Sequence, residues 1–295
     1  MTVMALIERC SARLSQAGVS FGHGTTNAFD EAAWLVLWRL GLPLDALDAV
    51  AERVVSSSEL AAVDALLDQR IHTRQPAAYL TGEAWLQGVP FTVDARAIVP
   101  RSLIAEPLAD GTLDTWLQPH TQRVLDLCTG NGSLAVLAAL AWPDVVVDAA
   151  DLSTDALAVA QLNTTRHALG GRIRLHAGDG LAAVPGKAYD LILCNPPYVN
   201  SAAMAALPAE YRAEPSLALA GGADGMDFIR TLLQAAPAHM TPDAVLVLEI
   251  GHERDHFEQA FPTLDVVWLP TSAGDDQVLL LTRDALTHNT SANNS

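Results

Sequence analysis

The chain has 295 residues, half of them hydrophobic, enough for one large domain or a core domain with a smaller companion. Lys and Arg number 17 against 34 Asp and Glu, a net charge of −17 that repels a phosphate backbone and so argues against nucleic acid and for a cationic protein partner. The cysteines Cys10, Cys128 and Cys194 are odd in number and far apart, which argues against a disulfide framework. With no basic-then-apolar opening and no apolar run of ~20 residues, the expectation is a soluble, cytoplasmic chain.

From residue 1 to 74 apolar residues recur at helical spacing in Ala5 to Leu14, Ala32 to Leu40 and Leu60 to Ile71, which predicts a small helical domain. Ser58-Glu59 reads as a helix start and Gly41-Leu42-Pro43 as a stop. Between the first two helices His23 lies in the turn-forming run Phe21 to Asn27 and reads as a plain loop residue. Residues 75–107 read as a linker whose stretch Val89 to Asp94 alternates as a β-hairpin does. Arg101, beside Pro100 within it, is expected either to lean over the site or to form a surface ion pair.

Residues 108–283 carry the α/β pattern. A helix is expected from Leu108 to Trp116, followed by the apolar strand Arg123 to Leu127. Cys128-Thr129-Gly130-Asn131-Gly132 then leads into a helix through Ala141. Strand, glycine turn and helix open a nucleotide-binding fold, although Cys128 and Ser133 stand where a dinucleotide fingerprint needs glycine. Asp151 ends the next strand, at about the ~20-residue offset from which a carboxylate reaches a ribose diol. Asp126 reads as a cap or turn former, or as an acid that steadies the glycine loop and faces a cationic ligand. A third strand, Arg172 to His176, leads to Asp179 and Gly180, where Asp179 is either a turn residue or an acceptor for an amino group on a heterocycle.

Tyr189 to Cys194 is a short apolar run typical of a buried parallel strand, so Asn195-Pro196-Pro197-Tyr198 emerges at its carboxyl end, where open α/β sheets bind ligands. Two prolines remove two N–H donors and stiffen the turn, leaving carbonyl oxygens and the Asn195 side chain as acceptors for a planar –NH₂, with the Tyr198 ring alongside. The long irregular stretch from Met204 to Gly225 adjoins it and is expected to be functional. Strands are expected at Ala244 to Ile250, Val266 to Leu269 and Val278 to Thr282, and residues 284–295, rich in Thr, Ser and Asn, as a disordered tail. His252-Glu253-Arg254-Asp255-His256 has the spacing of a zinc-protease motif but follows a strand end amid charge; a solvated helix start with no metal is expected.

Taken in order, Asp126 to Gly132, Asp151 and Asn195 to Tyr198 resemble the S-adenosylmethionine-dependent methyltransferases, in particular the HemK/PrmC class that methylates glutamine side-chain amides in proteins. The resemblance is nearest the type that acts on the basic large-subunit ribosomal protein L-three. It is carried by Phe21-Gly-His-Gly24, Ala78 to Trp85, Pro100-Arg-Ser102 with Ile104 and Glu106, and the Cys128-Thr-Gly130 form of the loop. Leu103 and Leu86 depart from that type, which usually has Pro and Phe there. It implies a mostly parallel Rossmann-like sheet with one antiparallel strand, and a helical amino-terminal domain that recognises substrate. It also implies S-adenosylmethionine held by Asp126, Cys128, Thr129, Gly130, Asn131, Gly132, Asp151, Leu152, Asp179, Gly180 and Asn195, with Asn195, Pro196, Pro197, Tyr198 and Arg101 on the substrate. A ribosome assembly intermediate is a further expected partner; membranes and DNA are not. The alternatives are a release-factor glutamine, an exocyclic amine in rRNA or DNA, and a non-enzymatic assembly module.

Overall fold

The computed structural model describes residues 1–292. Four helices open the chain: α1 Val3–Gln16, α2 Ala28–Arg39, the single turn α3 Leu47–Val50, and α4 Ser57–Thr73. Thr2 and Asn27 cap α1 and α2 through their side chains, and Ser56 with Glu59 forms a reciprocal capping box on α4, two residues ahead of the expected Ser58 start. Leu6, Ile7 and Leu14 of α1 pack with Leu35 and Val36 of α2 and Val63 and Leu67 of α4 into a separate core.

After the short α5 Ala77–Thr81, strands β1 Glu83–Leu86 and β2 Val89–Thr92 form the expected hairpin. Gln87 and Gly88 close it with φ of 50° and 74°, the left-handed pair that a two-residue turn requires. Helix α6 Ala105–Ala109 ends before Gly111 (φ 80°) and a 3₁₀ turn, Thr112–Trp116, follows; the single helix expected over Leu108 to Trp116 is broken there.

The sheet has seven strands: β3 Arg123–Leu127, β4 Val146–Asp151, β5 Ile173–Ala177, β6 Tyr189–Cys194, β7 Met240–Glu249, β8 Val267–Thr271 and β9 Gly274–Thr282. Their spatial order is β5-β4-β3-β6-β7-β9-β8, and β9 alone runs antiparallel, pairing with both β7 and β8. The remaining helices are α7 Ser133–Ala141, α8 Thr154–Arg166, α9 Ser201–Ala206, α10 Asp227–Ala235, α11 Arg254–Ala260 and α12 Arg283–Ala292.

Successive β3 residues feed opposite faces. Val124 joins the core built with Leu134 to Ala139 of α7, whereas Leu125 and Leu127 join the one containing Ile229, Leu232 and Leu233 of α10. Strands covered on both faces read as unbroken apolar runs, which is why β3 and β6 stood out in the sequence. The tail is a correction: residues 284–292 belong to α12, and Leu286, 2% exposed, inserts into the α10-side core. Residues 293–295 of that expected tail lie outside the described residues.

Candidate active site

The chain runs outward from β3 through β4 to β5 and then returns to the other side of β3 as β6. The carboxyl ends of β3 and β6 therefore flank the point where strand order reverses, the crevice in which open α/β sheets bind ligands. Two segments meet there: Cys128 to Gly132 after β3, and Asn195 to Tyr198 after β6.

The β3 loop turns through three left-handed residues, Cys128 (φ 59°), Gly130 (φ 56°) and Gly132 (φ 79°). A Cβ on Gly132 would come within 3.1 Å of the Ala160 methyl, so glycine there permits close packing of α7 on α8, whereas around Gly130 the space is open. Asp126, buried beneath the loop, accepts from the Thr129 hydroxyl and, at 2.9 Å, from Ala135 N–H. Burial pushes its carboxyl up to about 7 against these two donors. Asn131 donates to Ile98 O at 3.1 Å, tying the loop to the linker. Asp151 accepts from Gly130 N–H at 2.9 Å and Ser153 N–H at 2.8 Å; burial raises its carboxyl and the amides oppose that.

These segments enclose a cavity of about 850 Å³ including its open mouth. Of the residues expected on the cofactor, Cys128, Gly130, Asp151, Leu152, Asp179, Gly180 and Asn195 line it, joined by Pro197 from the substrate set. Asp126, Thr129, Asn131 and Gly132 stand behind the wall and brace the loop; Pro196, Tyr198 and Arg101 also lie outside it. Sequence reading missed Arg96, Ala97 and Ile98 from the linker, Phe228 of α10, and Pro215, Leu217 and Ala218. The unusual length of the segment after Met204 was the one signal for the last three.

Asn195 is half-buried, lines the cavity, and its side chain makes no hydrogen bond to another described residue, so both its donor and its acceptor are available. Pro196 is buried. Tyr198 donates its hydroxyl to Glu249 Oε1 at 3.1 Å, and burial followed by the nearby carboxylate raises the phenol well above its usual range, so it stays protonated.

Arg101 is not a free substrate contact. Its guanidinium forks onto both oxygens of Glu214 at 2.7 Å and lies over the Tyr211 ring at 5.4 Å. Nor is this the expected surface pair, because the Glu214 side chain is fully buried. His23, expected in an open loop, is 3% exposed, packs on Tyr211 with ring centroids 4.4 Å apart, and brings Nε2 to 3.4 Å from Glu214 Oε2. Burial alone would raise the Glu214 carboxyl; His23 and Arg101 outweigh it and hold it at about 2. Glu253, expected on a solvated helix start, is also buried, accepting from Asn200 Nδ2 at 2.7 Å and from His256. Among the described residues no group of three or more His, Cys, Asp or Glu is placed to hold a metal.

Comparison with known proteins matches residues 111–210 to the Methyltransferase small domain family and residues 5–82 to the PrmC N-terminal domain family. The chain is 56% identical over 287 residues to the ribosomal protein uL3 glutamine methyltransferase of Bordetella pertussis, covering 97% of this chain and 96% of that one. It is 51% identical over 293 residues to the protein of the same name in Burkholderia pseudomallei, covering 95% and 94%. Among solved structures, the hMettl16 catalytic domain in complex with MAT2A 3′UTR hairpin 1 shares the fold alone, with a TM-score of 0.50 at 14% identity over 77% of this chain and 80% of that one.

Proposed function

The chain belongs to the ribosomal protein uL3 glutamine methyltransferase family, and from that premise we propose that it methylates a glutamine side-chain amide of uL3 with S-adenosylmethionine at the β3/β6 crevice. The observation that carries this reading is Asn195, a half-buried amide lining the cavity, with no hydrogen-bond partner for its side chain among the described residues. The cavity residues fit the cofactor. Gly130 leaves open space where a side chain would begin, Asp151 keeps acceptor capacity beyond its two amide donors, and Leu152 and Phe228 offer apolar walls for a heterocycle near Asp179. Bound S-adenosylmethionine supplies an electrophilic methyl on a cationic sulfur.

The remaining work falls to the chain's own groups. An amide nitrogen is a poor nucleophile because its lone pair is delocalised into the carbonyl, and no side-chain base fully deprotonates it at neutral pH. Positioning must therefore supply much of the rate, and a well-aligned attack geometry contributes roughly 7–11 kcal/mol. Asn195 Oδ1 and the Pro196 carbonyl accept from the two amide N–H groups and fix the nitrogen, while the Tyr198 ring confines the amide plane. Asp151 takes the ribose hydroxyls, Asp179 the heterocycle's amino group, and the backbone from Cys128 to Gly130 the amino-acid end of the cofactor. We place the reaction in the cytoplasm, on uL3 that is free or within an assembly intermediate.

The test supplies labelled S-adenosylmethionine to the protein with uL3, a release factor and rRNA in parallel. Label is expected in a glutamine of uL3. Asn195→Ala is expected to lower methyl transfer at least ~100-fold with the cofactor Kd within about twofold. Label confined to the release factor or RNA, or full turnover by the variant, overturns the reading.

A further inference from the structure

We infer that Glu249 is a positioning residue for this reaction, acting through Tyr198 and not by contact with substrate. The inference rests on the proposed reading of Asn195 to Tyr198 as the amide clamp. Glu249 is the last residue of β7 and is 3% exposed. Its two oxygens divide their work. Oε1 accepts from the Tyr198 hydroxyl at 3.1 Å, and Oε2 accepts from Ser102 Oγ at 2.6 Å and Leu103 N–H at 2.9 Å. The carboxylate thus bolts the tyrosine of the β6 motif to the linker, and gives Ser102 a reason to follow Arg101.

Three glycines, two in the loop before α10 and one in the turn after β7, are fitted around the same tyrosine. A Cβ on Gly251 would fall 2.4 Å from Tyr198 Cε2, one on Gly225 2.2 Å from its carbonyl oxygen, and one on Gly221 2.7 Å from its Cα. Real Cβ atoms do not approach so closely, so each glycine is the room Tyr198 occupies. Four residues beyond Glu249, Glu253 Oε1 accepts from Asn200 Nδ2 at 2.7 Å. The turn leaving β7 is therefore a template against which the residues after Asn195 are set: Glu249 takes the ring, Gly251 clears its edge and Glu253 takes the next side chain but one.

A carboxylate fits this place better than an amide. Leu103 N–H can only donate and so needs an oxygen, and the Tyr198 hydroxyl donates to a second one. Glutamine has only one oxygen; it would turn it to Leu103 and present –NH₂ to Tyr198, reversing the tether and removing its charge assistance. The ring then loses its set position, and a misplacement of about 1 Å at a bound nucleophile can cost on the order of 100-fold in rate.

The test compares Glu249→Gln, Tyr198→Phe and the double variant with wild type, measuring kcat on uL3, cofactor Kd by calorimetry and the ¹³Cζ resonance of Tyr198 among the four tyrosines. Each single variant is expected to lose about tenfold in kcat with the cofactor Kd within about twofold. The double variant should lose no more than about twofold beyond Tyr198→Phe, because both remove one tether. The Tyr198 resonance should move in Glu249→Gln. Ser102→Ala, which keeps the carboxylate and deletes one of its donors, should lose about threefold in kcat; if Glu249→Gln does not fold, this variant tests the tether in its place, and full kcat in it overturns the inference. Full kcat in Glu249→Gln, additive losses in the double variant, or a loss confined to cofactor affinity overturns it equally. If wild type fails on uL3 the substrate reading falls, while an unmoved Tyr198 resonance still sinks the tether by itself.

Discussion

Asp126 sits where a counter-charge for a cationic cofactor is expected, yet both groups it binds, the Thr129 hydroxyl in the loop and Ala135 N–H in the first turn of α7, belong to the chain that follows it. Those bonds brace the loop and the start of α7, and a bracing role separates from a counter-charge role on mutation. Asparagine keeps an acceptor for both donors and drops the charge, so Asp126→Asn should bind S-adenosylmethionine within about threefold of wild type. Asp126→Ala strands two buried donors at roughly 1–3 kcal/mol each and should lose at least tenfold. Equal losses in calorimetry would make the charge itself the determinant. The pH signature runs the same way. Burial raises the folded carboxyl from 3.8 to about 7, so its contribution to stability is complete below about pH 3.8 and is lost as pH rises through about 7. Thermal melting should therefore depend less on pH between about 4 and 7 in Asp126→Asn than in wild type.

At the scale of elements, the segment between α9 and α10 covers the cavity with Pro215, Leu217 and Ala218 and is held from outside the sheet domain. Glu210 pairs with the fully buried Arg70 of α4 at 3.2 Å and with Arg74 at 3.4 Å, and Arg70 also holds Glu31 of α2 at 2.8 Å. Glu214, one residue before the lining begins, is held by Arg101 and His23. The amino-terminal helices thus anchor the segment that lines the cavity. Breaking one partner of a buried pair costs roughly 3–5 kcal/mol, so Glu214→Gln should melt several degrees lower and bind cofactor about tenfold more weakly. The exposed Glu83 to Arg166 pair is the control, and Glu83→Gln should change neither. Unchanged cofactor affinity in Glu214→Gln would detach the cover from the ion pairs. Because the folded carboxyl lies at about 2 against an ordinary 4.5, this stabilisation is complete above about pH 4.5 and disappears as pH falls through about 2.

These contacts also mark how far the sequence could be read. The strand, glycine turn and helix, Asp151 and the Asn195 motif are short-range patterns, the longest being the ~20-residue offset of Asp151 from the glycine turn, and the structure brings them to one crevice. The Arg101 to Glu214 pair spans 113 positions and the Tyr198 to Glu249 bond 51, and no periodicity announces a partner at such range. His23, Glu214 and Glu253 carry the composition of exposed loops and are buried because another element closes over them. In residues 284–292 the many polar residues concealed Leu286, which packs into the α10-side core.

For the whole molecule the dominant quantity is charge: −17 over 295 residues, readable before any fold is known. A field of that sign accelerates encounter with a cationic protein and leaves the chemistry inside the cavity untouched. Salt weakens the first and not the second, since exposed charges are screened over about 10 Å at 0.1 M and about 3 Å at 1 M, whereas the buried pairs around Glu214 are screened much less. Raising ionic strength from about 0.05 to about 0.5 M should therefore lower kcat/KM for intact uL3 at least tenfold while kcat at saturation stays within about twofold. A short uncharged peptide carrying the same glutamine should show a flat profile and, lacking the long-range attraction, a lower kcat/KM at every salt concentration. The comparison isolates the field from the clamp because both substrates present one amide to Asn195. Parallel salt profiles for peptide and protein would show that the negative surface does not guide substrate, and would leave recognition to short-range contacts alone.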